Sequence, residues 1–151
     1  MPQSLARVLL HIVFSTKGRA ALLKDPELRS ELYKYQGGIL NKLGCIPILI
    51  NGVDDHVHLL CALSRTISMA ELIEKLKSAS TSWVKKQGAL HERFAWQSGY
   101  GVFSVSESML PVVKKYVENQ EEHHKRMSFQ EEFRAICEKH GIKIDERYVW
   151  D

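Results

Sequence analysis

The chain has 151 residues, of which 44% are hydrophobic and 26% charged, and it carries a net charge of +3. This composition is that of an ordinary globular protein, and the length predicts a single domain over residues 1–151, with a mildly basic surface that permits a polyanionic partner. No apolar run reaches the roughly 18 residues of a membrane helix, and no signal-peptide cleavage site is evident. The three cysteines, Cys45, Cys61 and Cys137, lack metal-type spacing. We therefore predict a cytoplasmic protein with reduced thiols.

The first half of the chain predicts a strand, a helix and a hairpin. The segment "ARVLLHIVFST" is nearly all apolar and predicts a central strand. Asp25 and Pro26 predict the start of a helix with Asp25 as its N-cap, and Gly44 predicts its end. The segments "CIPILIN" and "HVHLLCAL" then predict two strands of a hairpin around the turn at residues 52–55.

The second half predicts further helices around one more β region. Ser68 and Ser128, each followed three residues later by Glu, predict N-capped helices. Between them, "FAWQSGYGVFSVS" predicts short strands, and a helix from near Ser108 is predicted to continue through "VVKKYVENQEEHHK". The order β-α-β-β-α-β-β-α-α predicts an α+β domain in which helices cover one antiparallel sheet, as in ferredoxin-like folds.

Two short patterns carry the candidate chemistry. His56 and His58 alternate along a strand, so their imidazoles project from the same face and predict a pair of metal ligands that lacks a third. Tyr116 and Gln120 lie four residues apart and are predicted to share one helix face. Either of the last two residues, taken alone, is also compatible with an ordinary helix edge.

Together these patterns resemble the single-tyrosine HUH transposases of bacterial and archaeal insertion sequences, the IS200-like family. HUH denotes histidine, bulky hydrophobe, histidine, which His56-Val57-His58 match within "DDHVHLL", and "YVENQ" matches the family's Tyr-x-x-x-Gln helix. Supporting similarity extends over nearly the whole chain, in "HIVFSTKGR", "KLKSASTSWVKK", "FAWQSGYGVFSVSES" and "YVENQEEHH".

The resemblance implies a mechanism and a set of partners. His56, His58 and Gln120 would bind a divalent metal, Mg²⁺ or Mn²⁺, while Tyr116 would attack single-stranded DNA and form a 5′-phosphotyrosine that is later rejoined to another strand. Two imidazoles and an amide are neutral ligands, so the charge of the metal would be available to a phosphate. The resemblance also implies DNA with hairpin ends, and a homodimer whose active site can be shared between subunits.

Alternative readings stay open from the residues alone. The His pair could serve a metal-dependent phosphoesterase or nuclease in which Tyr116 is structural, or the chain could be a domesticated DNA-binding relative. His123 and His124 diverge by about 100° on a helix and are expected to be exposed or to face DNA. Aromatic residues in the second half could stack on unpaired bases, but at most one or two are expected to do so and the others to lie in the core: Trp83, Trp96, Tyr100 and Phe103.

Overall fold

The computed structural model describes residues 3–150 and contains four strands and five α-helices in that range. The strands are β1 (Leu9–Ser15), β2 (Ile46–Gly52), β3 (His56–Ala62) and β4 (Gly101–Val105). The helices are α1 (Pro26–Lys42), α2 (Met69–Lys85), α3 (Leu110–Glu118), α4 (Gln120–His123) and α5 (Phe129–Lys139). Within residues 3–150, no helix combines the length and the apolar character that crossing a bilayer requires.

The four strands form one sheet in the order β2-β3-β1-β4, and all neighbours are antiparallel. Two β-α-β units interleave: β3 lies between β1 and β2, and β1 lies between β3 and β4. This is the ferredoxin-like arrangement that the element order predicts, and β1 is central as expected. The predicted α+β fold is therefore confirmed.

The two faces of the sheet serve different purposes. One face packs on α1 and α2 and carries the larger core, to which β1 contributes Ile12 and Phe14 and β3 contributes Val57 and Leu59. The other face supports a smaller cluster that includes Val13 and Phe103 of the sheet, with Phe129, Phe133, Ile136 and Cys137 of α5. Because strand side chains alternate, His56 and His58 lie on this second face.

The predicted N-caps are confirmed. The side chain of Asp25 accepts a hydrogen bond from the backbone N–H of Glu27 at 2.9 Å, and Ser68 and Ser128 cap α2 and α5 in the same way. Each cap satisfies one of the backbone donors that a helix N-terminus leaves without a partner. The three cysteines are free, as predicted, and the structure shows that all three are buried.

Two local predictions are wrong in detail. The helix predicted through "VVKKYVENQEEHHK" breaks at Asn119, whose backbone (φ −96°, ψ 25°) leaves the helical region and separates α3 from α4. The Asn51 side chain accounts for the break, because it donates to the last carbonyls of α3 in place of a continuing helix. The region "FAWQSGYGVFSVS" forms one strand, β4, and only an isolated bridge between Thr16 and Trp96.

Candidate active site

The two histidines of β3 are completely buried beneath the helices of the second face. The rings of His56 and His58 lie 5.1 Å apart, centroid to centroid, as their spacing along the strand predicts. Val57, between them, points into the larger core on the other face. The fold thus places two imidazoles side by side, enclosed by α3, α4 and α5.

The helix break brings Tyr116 and Gln120 to the same cluster from two different helices. Gln120 begins α4 and is buried, and its Oε1 lies 3.1 Å from Nε2 of His56. Tyr116 is half-buried near the end of α3, with its ring 6.0 Å from that of His58. All four residues singled out in the sequence are therefore neighbours, although Tyr116 and Gln120 do not share a continuous helix.

Glu132 lies at the centre of the cluster, and sequence reasoning missed it. Its Oε1 is 3.0 Å from Nε2 of His58 and 3.2 Å from Nε2 of His56. Its Oε2 accepts hydrogen bonds from the Tyr116 hydroxyl and from Nε2 of Gln120. A signal was available, because the buried stripe of α5 places one carboxylate among apolar residues at helical spacing: Phe129, Glu132, Phe133, Ile136 and Cys137.

His124 also joins the cluster, which corrects the expectation that it is exposed or faces DNA. Its Nε2 lies 3.0 Å from Oε1 of Glu132 and 3.1 Å from Oε1 of Gln120. The adjacent His123 diverges, as expected, and its ring lies 4.6 Å from that of Tyr116. The packing of α4 on the sheet decides which of the two imidazoles turns inward, and one sequence cannot show that packing.

Hydrogen bonds from the other ring nitrogens orient these imidazoles. Nδ1 of His56 lies 2.6 Å from a carboxylate oxygen of Asp55, and Nδ1 of His124 lies 2.8 Å from the backbone carbonyl of Met127. Nδ1 of His58 lies 2.7 Å from Nε2 of His11, which is also buried. Such outer contacts fix the ring and tautomer of metal-binding histidines and leave Nε2 free to coordinate.

The charges of the cluster are strongly coupled. Burial opposes protonation of His56, but its bonds with Asp55 and Glu132 outweigh that effect and raise its pKa to about 9. Burial lowers the pKa of His58, and it lowers that of His11 to about 3. Burial also opposes ionisation of Glu132, yet hydrogen bonds from the histidines hold its pKa below its usual range.

Tyr116 is held as a neutral phenol. Burial and the adjacent carboxylate of Glu132 raise the pKa of Tyr116 well above its usual range. A phenol in this setting is a hydrogen-bond donor with a fixed direction. It becomes a nucleophile only when its proton has a destination and positive charge is close by.

The donor set fits a metal ion. One atom each from His56, His58, His124 and Glu132 lies within 4.8 Å of the others, and these four residues could hold an ion. Imidazole nitrogens and a carboxylate oxygen are typical ligands of divalent transition metals. Beside the cluster, a groove of about 480 Å³ between α3 and α5 is lined by Tyr116 and His123 and by apolar residues that include Val112 and Ile136.

Comparison with known proteins identifies the family. Residues 4–120 match the family described as "Transposase IS200 like", so the chain belongs to the IS200-like transposases and the resemblance read from the sequence is confirmed. A search of curated proteins finds no match.

Two solved structures share the fold. The crystal structure of a protein described as a transposase, from Deinococcus radiodurans R1, is 24% identical, with a TM-score of 0.61, and the match covers 78% of this chain and 93% of that one. A REP-associated tyrosine transposase bound to a REP hairpin is 8% identical, with a TM-score of 0.53, and the match covers 78% of this chain and 67% of that one.

Proposed function

We propose that this transposase cleaves and rejoins single-stranded DNA through a covalent bond between Tyr116 and a 5′ phosphate. The observation that carries the proposal is the contact between the Tyr116 hydroxyl and a carboxylate of the buried cluster that could hold a metal. A nucleophile next to a site that can hold a divalent cation is what phosphoryl transfer requires.

The chemistry divides between Tyr116 and its neighbours. The hydroxyl oxygen of Tyr116 forms the bond to phosphorus, the bond to the 3′ oxygen breaks, and the phenolic proton is transferred through solvent to the departing 3′ hydroxyl. Glu132 orients the hydroxyl, while His56, His58 and Gln120 are proposed to hold Mg²⁺ or Mn²⁺. When bound, that ion would polarise the scissile phosphate and offset the charge that develops on it.

The covalent intermediate explains why a tyrosine would serve here better than water. A phosphotyrosine conserves the phosphodiester bond, so that a second 3′ hydroxyl can attack it and restore the strand. Cleavage and rejoining are then the same step in opposite directions, and no nucleotide triphosphate is needed.

The proposed partner is single-stranded DNA that carries a hairpin. The second solved structure above holds a REP hairpin, which supports the same class of ligand here. Lys114 and Lys115 are exposed on α3 close to Tyr116, where they could contact phosphates. Of the aromatic candidates, Trp96 and Phe103 belong to the core, whereas Tyr100 is 41% exposed and remains a candidate for base stacking.

We further propose that residues 1–151 act as one domain in the cytoplasm, as a homodimer. The family resemblance implies the dimer and allows a shared active site. Within a single chain, however, Tyr116 already contacts Glu132 beside His58. Each subunit therefore contains the complete set of proposed groups, and we expect catalysis without exchange of Tyr116 between subunits.

A covalent-adduct assay tests the proposed function. The protein is incubated with labelled single-stranded oligonucleotides carrying hairpins, in Mg²⁺ or Mn²⁺, and resolved on a denaturing protein gel. We expect label on the wild-type protein and none on Tyr116→Phe, which should still bind DNA. Tyr148→Phe is the matched control, because Tyr148 is 65% exposed and lies outside the cluster. If Tyr116→Phe cleaved at the wild-type rate, the phosphoesterase reading would replace this one.

A further inference from the structure

Glu132 belongs to neither the Tyr-x-x-x-Gln motif nor the HUH motif, yet it contacts residues of both. It lies on α5, beyond residues 4–120 that match the family, and it is 1% exposed. Its two oxygens have separate roles: Oε1 faces three imidazole nitrogens, and Oε2 accepts from Tyr116 and Gln120. A buried carboxylate is costly unless such partners compensate it.

The donor atoms around Oε1 of Glu132 are arranged so that a cation fits among them. In both His56 and His124, Nδ1 faces an oxygen that can only accept, so Nδ1 carries the hydrogen. In the neutral rings, Nε2 therefore presents a lone pair toward Oε1 of Glu132, at 3.2 Å for His56 and 3.0 Å for His124. Two lone pairs and an anionic oxygen repel one another at these distances unless a cation lies among them. In metal-free protein that cation is a proton on Nε2 of His56, whose pKa is raised to about 9, and a metal ion would displace this proton and bind all of these atoms at once.

We propose that Glu132 and His124 are metal ligands in addition to His56, His58 and Gln120, and that Glu132 also positions Tyr116 through its second oxygen. Neighbouring ligands of one transition-metal ion are about 3.0–3.4 Å apart when each lies about 2.1 Å from the ion, and the spacing around Oε1 matches this range. The proposal deepens the proposed function, on which it rests, by naming two ligands outside the family motif.

This donor set has consequences for which metal binds. Three imidazoles and one carboxylate favour Mn²⁺, Co²⁺ or Zn²⁺ over Mg²⁺, which prefers oxygen ligands. The carboxylate also brings a negative charge that the neutral set of two histidines and Gln120 lacks, and this strengthens binding of a divalent ion. Metal binding and the orientation of Tyr116 then both depend on α5.

Calorimetric titration of metal-free protein with Mn²⁺, without DNA, tests the proposal directly. We expect Glu132→Gln to weaken binding by at least about 10–100-fold, the loss seen when even outer partners of metal ligands are removed. Glu138→Gln is the matched control, because Glu138 is an exposed carboxylate on the same helix, and it should bind as wild type does. Folded Glu132→Gln that binds Mn²⁺ with wild-type affinity would overturn the proposal, as would wild-type protein that binds no metal.

A second variant and a wild-type measurement apply if Glu132→Gln does not fold. His124→Gln should weaken Mn²⁺ binding by at least about tenfold. In wild-type protein labelled with ¹⁵N-histidine, Zn²⁺ should produce large shifts of the Nε2 signals of three of the seven histidines. Shifts confined to His56 and His58 would contradict the assignment.

The outcomes separate this inference from the proposed function. Metal binding that depends on Glu132, in a protein that forms no DNA adduct, would leave the metal site intact and overturn the DNA chemistry. If a Tyr116 adduct formed while Glu132→Gln bound the metal as wild type does, the DNA chemistry would stand and the assignment of Glu132 as a ligand would be overturned.

Discussion

Asn51 is predicted to hold the nucleophile-bearing helix in place from the neighbouring strand. It lies opposite His58 in the register of β2 and β3, and its Nδ2 donates to the carbonyls of Val117 at 2.9 Å and Glu118 at 3.2 Å. Those carbonyls end α3, directly after Tyr116, and have no partner within their own helix. We therefore expect Asn51→Ala to loosen the segment that carries Tyr116.

The two hydrogen bonds set the magnitude of the effect. Each contributes about 1 kcal/mol net, so Asn51→Ala should lower the free energy of unfolding by about 2 kcal/mol. For a domain of this size, that corresponds to a fall in Tm of about 4–8 °C. Adduct formation should slow in the same variant, while Mn²⁺ affinity, which depends on other side chains, should change little.

Thermal unfolding followed by circular dichroism, together with single-turnover adduct formation, measures both effects. Asn41→Ala is the matched control, because Asn41 is exposed on α1 and the same substitution there should cost nothing. If Asn51→Ala kept both the wild-type Tm and the wild-type rate, Asn51 would have no anchoring role for α3.

Three further predictions concern backbone, charge and ligand. A Cβ at Gly52 would lie 2.3 Å from the His56 carbonyl oxygen, so Gly52→Ala should destabilise the protein by at least about 1–3 kcal/mol. Gly38 lies in α1 with open space around it, so Gly38→Ala should stabilise the protein by roughly 0.5–1 kcal/mol. Urea titrations that rank the two variants the other way would contradict the hairpin geometry. In metal-free protein, protonated His56 stabilises the fold because its pKa is raised to about 9. This contribution to the free energy of unfolding is fully present below pH 6.5 and is lost as the pH rises through about 9. A Tm that stays constant over this pH range would refute the prediction. Single-stranded DNA with an imperfect hairpin should bind more tightly than the same sequence fully paired. Its affinity should fall by roughly 0.7–0.9 log units per phosphate contact for each log unit of salt concentration. Filter binding that favours the duplex would count against the proposed substrate.

Local patterns in the sequence were sufficient for much of the fold. Alternation along "HVHLLCAL" places His56 and His58 on one face because successive strand side chains point in opposite directions. The caps at Asp25, Ser68 and Ser128 depend on side chains that reach only two or three residues along the chain. Such features are readable because their physical causes are short-range.

The composition of the site was readable only in part. Tyr116, Gln120 and the His pair were found because they form short motifs, whereas Glu132 belongs to no motif and becomes significant only where α5 crosses the sheet. Its position on an apolar stripe was a usable signal that a buried carboxylate needs partners. The identity of those partners required the packed structure.

The sequence by itself determined the order of the first five strands and helices, the caps, and the face on which His56 and His58 lie, because propensity, periodicity and capping act over a few residues. Only the tertiary structure decided that α3 ends at Asn119, that His124 turns inward, and that Glu132 joins the histidines to Tyr116. These three features arise where segments distant in the chain pack on one face of the sheet. Their energies come from contacts across that packing, such as the bonds from Asn51 to α3, which no local pattern encodes.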